Sequence, residues 1–110
     1  MTLRQKQSKF VLMVSALIDF AYTNGYELTF GETYRTPEQA ALNAKTGKGI
    51  AKSLHIQRLA IDLNLFKGGK FLTSSTSHLP LGEYWESIGG TWGGRWNDGN
   101  HYSLEHQGIK

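Results

Sequence analysis

The chain has 110 residues, 39% hydrophobic and 19% charged, with twelve Lys and Arg against nine Asp and Glu for a formal net charge of +3. That size and composition exclude a disordered polymer and fit one domain, residues 1–110, around one hydrophobic core. The absence of cysteine excludes a disulfide framework and any thiolate metal site, so a bound metal must be held by His, Asp or Glu.

The N-terminal Arg4, Lys6 and Lys9 precede an apolar stretch, FVLMVSALIDFAY, with the outline of a secretory signal. Asp19 interrupts it, no small-x-small cleavage site follows, and it falls short of the ~20 residues that span a bilayer. Phe10, Met13, Val14, Leu17, Ile18 and Ala21 follow helical spacing instead. Thr2 to Thr23 is therefore read as a core helix ended by Asn24 and Gly25, with neither an export signal nor stable membrane insertion expected.

YELTFGETYR, Tyr26 to Arg35, alternates aromatic and β-branched residues and reads as a strand. Thr36 as N-cap and Pro37 at the first helical position open a short second helix over TPEQAALNAK, which breaks at TGKG. Leu59, Ile61, Leu63 and Leu65 alternate with Ala60, Asp62 and Asn64, so a strand is expected with Asp62 pointing away from the leucines. KGGK reads as a turn, FLTSSTS as a loop, and LPLGEYWESIGG as a short helix ended by Gly89 and Gly90. TWGGRWNDGNHYSLEH reads as two short strands around the turn NDGN, with His101 opening the last. Trp92 and Trp96, four apart, are expected on one side, one packing the core and the other walling a cleft. This order of helices and hairpins predicts an α+β fold, a small antiparallel sheet with N-terminal helices packed on it. The basic residues are scattered without a run, so wall polymer fits the mild positive charge and no nucleic acid is expected as partner.

A carboxylate inside an apolar strand, seven residues after His55, suggests metal ligation. Fully extended, seven residues span roughly 23 Å, whereas each ligand of a zinc ion lies about 2.0 to 2.2 Å from it. The chain must then reverse between His55 and Asp62, around Gln57 and Arg58. His101, opening a strand that can lie beside the first, is the best supply of a third ligand, and three protein ligands leave a fourth position for water. His78, in a polar loop that reads as a mobile rim of the cleft, and His106 are set aside as non-ligands.

Ser53, His55, Ala60 and Asp62 fit the pattern S-x-H-x-x-G-x-A-x-D, and Asp98 with His101 fits a later acidic-x-x-His. With Arg35 in TYRTPEQ, these motifs resemble the zinc peptidases of the D-alanyl-D-alanine carboxypeptidase (VanY-like) family, in its compact phage endolysin branch of L-alanyl-D-glutamate peptidases. The resemblance runs from Gly31 to Glu105 and implies a hedgehog/D-Ala-D-Ala-peptidase-like fold. It implies that His55, Asp62 and His101 bind Zn²⁺, that Asp98 is the general base, that Arg35 contacts a substrate carboxylate or developing oxyanion, and that Ser53 lines the site. It further implies a monomer acting on the peptidoglycan stem peptide, made in a bacterial cytoplasm and reaching the wall by a separate route. Arg58 stands where the pattern has glycine, and a differently shaped turn is expected there.

Each of these residues also has a structural reading. Asp62 can sit on an exposed face or in a salt bridge, Arg35 can pair with Glu32 or Glu38, Asp98 can bond its own turn backbone, and Ser53 can be a helix N-cap or a loop residue. Functional rivals are a D-alanyl-D-alanine carboxypeptidase or dipeptidase and a non-catalytic zinc-stabilised wall-binding module.

Overall fold

The structure is a computed structural model and describes residues 1–47 and 53–110. Helix α1, Leu3–Thr23, starts at Thr2, whose hydroxyl accepts from Gln5 N while the Gln5 side chain accepts from Thr2 N, a reciprocal cap. Its buried face is Phe10, Met13, Val14, Leu17 and Ala21, the stripe that the spacing predicts. Helix α2, Pro37–Lys45, is capped by the Thr36 hydroxyl, which accepts from Gln39 N. Of the expected break after it, Lys48 and Gly49 lie outside the described residues.

Strand β2, Ala60–Lys67, is the axis of the sheet. Strand β1, Tyr26–Phe30, lies along one edge, in register from Tyr26 opposite Lys67 to Phe30 opposite Leu63. The other edge carries two short strands in tandem: β5, His101–Ser103, pairs with Ala60 to Asp62, and β3, Lys70–Leu72, pairs with Leu65 to Lys67. Strand β4, Thr91–Trp92, adds outside β5, and every pairing is antiparallel. The apolar face of β2 packs with α1 and with α3, Leu79–Ser87, into one core, so the α+β expectation holds. At its centre Trp85 is fully buried, edge-on to Phe10 and Tyr102, and its Nε1 donates to Ser103 O at 2.9 Å and Thr91 O at 3.1 Å. Each such aromatic contributes about 1.5–3 kcal/mol through burial. Trp85 also fixes the two strands beside which the site is built.

Several expectations are corrected. β1 stops at Phe30 instead of Arg35, because Gly31 and Glu32 both face Asp62: Gly31 N donates to Asp62 O and Asp62 N to Glu32 O, each at 2.8 Å. This bulge turns Thr33 to Arg35 out of the sheet. A Cβ at position 31 would sit 2.9 Å from Asp62 O, so a side chain there would crowd the close approach. Part of the expected FLTSSTS loop is instead strand β3 and a 3-10 turn, Ser75–His78, capped by the Ser74 hydroxyl. Between β4 and β5 the chain makes a second 3-10 turn, Gly93–Trp96, followed by Asn97 at φ 63°. Strand periodicity therefore does not carry from Trp92 to Trp96: Trp92 is 3% exposed in the core and Trp96 is 44% exposed.

Candidate metal centre and active site

Asp62 stands on the polar face of β2, and the antiparallel register puts His101 directly opposite it. His55 reaches the same point from a tight turn. Arg58 N donates to His55 O and Leu59 N to Leu54 O, with Arg58 at φ 56° and both leucines buried, the hydrogen-bond pair of a Schellman motif. The expected change of turn shape at Arg58 is thus corrected. Arginine adopts the left-handed conformation that a glycine would take there, its guanidinium carbon 4.0 Å from the centre of the Tyr34 ring. That contact offsets about 0.5–1 kcal/mol of a conformational cost of about 1–2 kcal/mol. The Ser53 hydroxyl, buried, accepts from His55 N at 3.2 Å and so caps the same turn.

The three side chains meet with one ligand atom each, all within 4.8 Å of one another. His55 Nε2 lies 3.4 Å and His101 Nδ1 3.5 Å from Asp62 Oδ1. A tetrahedral ion with ligands at about 2.0–2.2 Å requires ligand atoms about 3.3–3.6 Å apart, and these two spacings match. The Thr33 carbonyl, 3.1 Å from His55 Nδ1, can only accept, so the proton sits on Nδ1 and Nε2 presents its lone pair to the cluster. The residues therefore fit a divalent metal ion.

The electrostatics agree. Burial pushes the Asp62 carboxyl up, but the imidazoles of His101 and His55 outweigh it and hold its pKa at about 2, so it is anionic at any ordinary pH. Burial pushes His55 down, and the Asp62 carboxylate, helped by the Thr33 carbonyl and by Glu32, outweighs that and raises it.

Asp98 and Arg35 flank the cluster on opposite sides. The Asp98 carboxylate is 4.0 Å from His101 Nδ1 and half exposed, and among the described residues it makes no hydrogen bond to its own turn. Burial, reinforced by the Asp62 charge, raises its pKa against the pull of His101 and His55, which makes it a better proton acceptor. Gly93 fixes its place, since Asp98 N donates to Gly93 O at 2.9 Å and a Cβ at 93 would lie 2.2 Å from Asp98 O and 2.7 Å from the His101 Cβ. The Arg35 guanidinium pairs with Glu32 Oε1, one of the two partners that the sequence offers, and Arg35 N donates to His55 O at 3.3 Å.

Glu32 was not legible as part of the site. Glu32 Oε1 lies 3.8 Å from His55 Nε2 because the bulge at Gly31 turns it inward, and a Gly-Glu pair closing an aromatic strand is a faint signal for that. The Trp96 ring lies 5.9 Å from that of His101, the wall role expected for one of the two tryptophans. His78 and His106 stay outside the cluster, but His78 is no mobile rim: it is 3% exposed and shares a 2.7 Å hydrogen bond with Tyr102 Oη.

Two imidazoles and a carboxylate around one point can hold one metal ion, and a second carboxylate and a guanidinium lie near them. The chain belongs to the D-alanyl-D-alanine carboxypeptidase family, whose model matches residues 46–104. That match takes in Ser53, His55, Asp62, Asp98 and His101 and leaves out Arg35. The chain is also 31% identical over 101 residues to the L-alanyl-D-glutamate peptidase of Listeria phage A118, an alignment covering 84% of this chain and 36% of the relative. The chain thus spans about a third of that relative's length.

Proposed function

We infer that the chain is a zinc peptidase that hydrolyses an amide bond of the peptidoglycan stem peptide, of the L-alanyl-D-glutamate endopeptidase type. The observation that carries this reading is the His55, Asp62, His101 cluster with Asp98 beside it, together with the likeness to the phage peptidase. His55 Nε2, Asp62 Oδ1 and His101 Nδ1 would hold the ion. When bound, zinc supplies Lewis acidity that lowers the pKa of a coordinated water and polarises an amide carbonyl.

The remaining work falls to the chain's own side chains. Asp98, ionised but with a raised pKa, takes the proton of the attacking water and returns it to the leaving amine. Arg35 binds a substrate carboxylate, for which its planar fork is suited, by exchanging or sharing Glu32. Ser53 keeps His55 in place by capping its turn. Among the described residues no helix is long and apolar enough to cross a membrane.

A second reading, a D-alanyl-D-alanine carboxypeptidase, is favoured by the description of the matching family. Product analysis on defined muropeptides separates the two: a new D-glutamate N-terminus supports the endopeptidase, free D-alanine the carboxypeptidase. Asp98→Asn tests the catalytic assignment. It is expected to retain one equivalent of zinc and lose at least about a hundredfold in wall hydrolysis, and near wild-type hydrolysis by that variant would refute the base.

A further inference from the structure

The second edge of β2 is not continuous. β5 leaves it at Asp62 and β3 joins it at Leu65, so Leu63 and Asn64 face a gap, bridged where Leu63 N donates to Asn100 O at 3.0 Å. A cleft of about 220 Å³ opens there, and Asp98 is in its wall, so it begins where the metal cluster ends. Its walls are pinned: Trp92 Nε1 donates to Gly99 O at 2.7 Å, Gly99 N to the Ser75 hydroxyl at 2.9 Å, and His78 is tied to Tyr102.

The chemistry of this cleft is opposite to that of the other flank. Arg35 and Glu32 lie on the β1 side of Asp62, while the cleft lies on the β3 and β5 side. Among the described residues no Lys or Arg lines it; hydroxyls and amides do, among them Thr73, Ser75, Asn97 and Asn100, with Asp98 in the wall. A carboxylate placed there would face Asp98 without a counter-charge, whereas an uncharged group rich in hydroxyls and amides would find donors and acceptors. The volume is below that of pockets for whole drug-sized ligands, about 300–1,000 Å³, and suits one ring or one residue.

We propose that this cleft is a subsite for the neutral, hydroxyl- and amide-bearing side of the substrate, the acetylated aminosugar with its lactyl amide, while the carboxylate-bearing side lies towards Arg35. This rests on the peptidase reading and deepens it: the enzyme acts on stem peptide still attached to glycan in preference to free peptide.

The test compares two substrates with the same scissile amide, a free stem peptide and the same peptide linked to N-acetylmuramic acid, on the zinc-loaded protein. Thr73→Tyr narrows the cleft from an exposed wall position that holds no metal ligand. The wild type is expected to favour the sugar-linked substrate at least tenfold in kcat/KM, and Thr73→Tyr to abolish that preference while leaving free-peptide cleavage unchanged. Equal rates on both substrates, or an equal loss on both in Thr73→Tyr, would overturn the subsite. Binding of N-acetylmuramyl-L-alanine amide, followed by amide shifts of Gly99 and the Trp92 indole, is read separately. If neither substrate is cut yet this ligand binds the wild type and not Thr73→Tyr, the peptidase reading fails and the subsite stands; absence of binding to the wild type overturns the subsite.

Discussion

His78 makes a prediction whose size follows from its surroundings. The ring is 3% exposed and hydrogen-bonded to Tyr102, and burial depresses its pKa from 6.5 to about 4. Above pH 6.5 neither the folded nor the unfolded chain protonates this residue, and its contribution does not vary. As pH falls from 6.5 towards 4, the unfolded chain takes up a proton that the folded one refuses, so folding stability is lost across that window and no further below it. The depression corresponds to at most about 3 kcal/mol, and to about 2 kcal/mol once water in the adjoining cleft screens the charge. His78→Gln keeps a polar partner for Tyr102 but removes the titration. In urea unfolding followed by circular dichroism, with chelator present throughout, the variant is expected to be about 1–3 kcal/mol less stable than wild type at pH 7.5. By pH 4.5 the deficit should shrink by about 2 kcal/mol. Asp62, with its pKa at about 2, adds acid sensitivity only below its ordinary 3.8, outside that window. A deficit that is the same at both pH values would refute the argument that His78 is held neutral by burial.

Replacing Arg58, at φ 56°, separates turn conformation from side-chain contact: Arg58→Gly should be about 1 kcal/mol more stable than Arg58→Ala in thermal unfolding, because only glycine takes that φ without strain. Gly93→Ala would push a Cβ to 2.2 Å from Asp98 O, so zinc affinity and activity should fall by more than tenfold while far-ultraviolet circular dichroism keeps its helical signal. Chelation should lower the stability of the zinc-loaded wild type by about 4 kcal/mol when free zinc had been held at a thousandfold its Kd, and should not change that of Asp62→Ala. Arg35→Lys should raise KM for a carboxylate-bearing substrate more than it lowers kcat, since a lysine cannot reproduce the bidentate fork.

Much of the cluster was legible because each of its three residues rests on a local rule. Alternation along β2 set Asp62 on the polar face, and the distance argument required a reversal after His55, which the turn ending at Arg58 supplies. Apolar spacing from Phe10 to Ala21 marked the buried face of α1. What stayed hidden depends on partners remote in the chain. Glu32 turns towards His55 because Gly31 and Glu32, just after β1, share one partner on β2, and hydrophobic patterning carries no mark of a bulge. His78 sits among serines and threonines that read as a solvated loop. It is buried because Ser74 caps the turn before it and Tyr102, 24 residues on, takes its ring nitrogen. Trp96 parted from Trp92 because glycines at 93 and 94 let the strand wind into a 3-10 turn. The glycine position of the motif misled in the other direction: a left-handed residue was required there, and an arginine resting on Tyr34 meets the requirement.

Whether His55, Asp62 and His101 act together as one metal centre is decided by metal analysis. Purified wild type equilibrated with zinc and dialysed is expected to keep one equivalent per chain, and His55→Ala, treated alike and still folded, to keep less than a tenth of that. A folded His55→Ala retaining a full equivalent, or a wild type retaining none, would contradict the account.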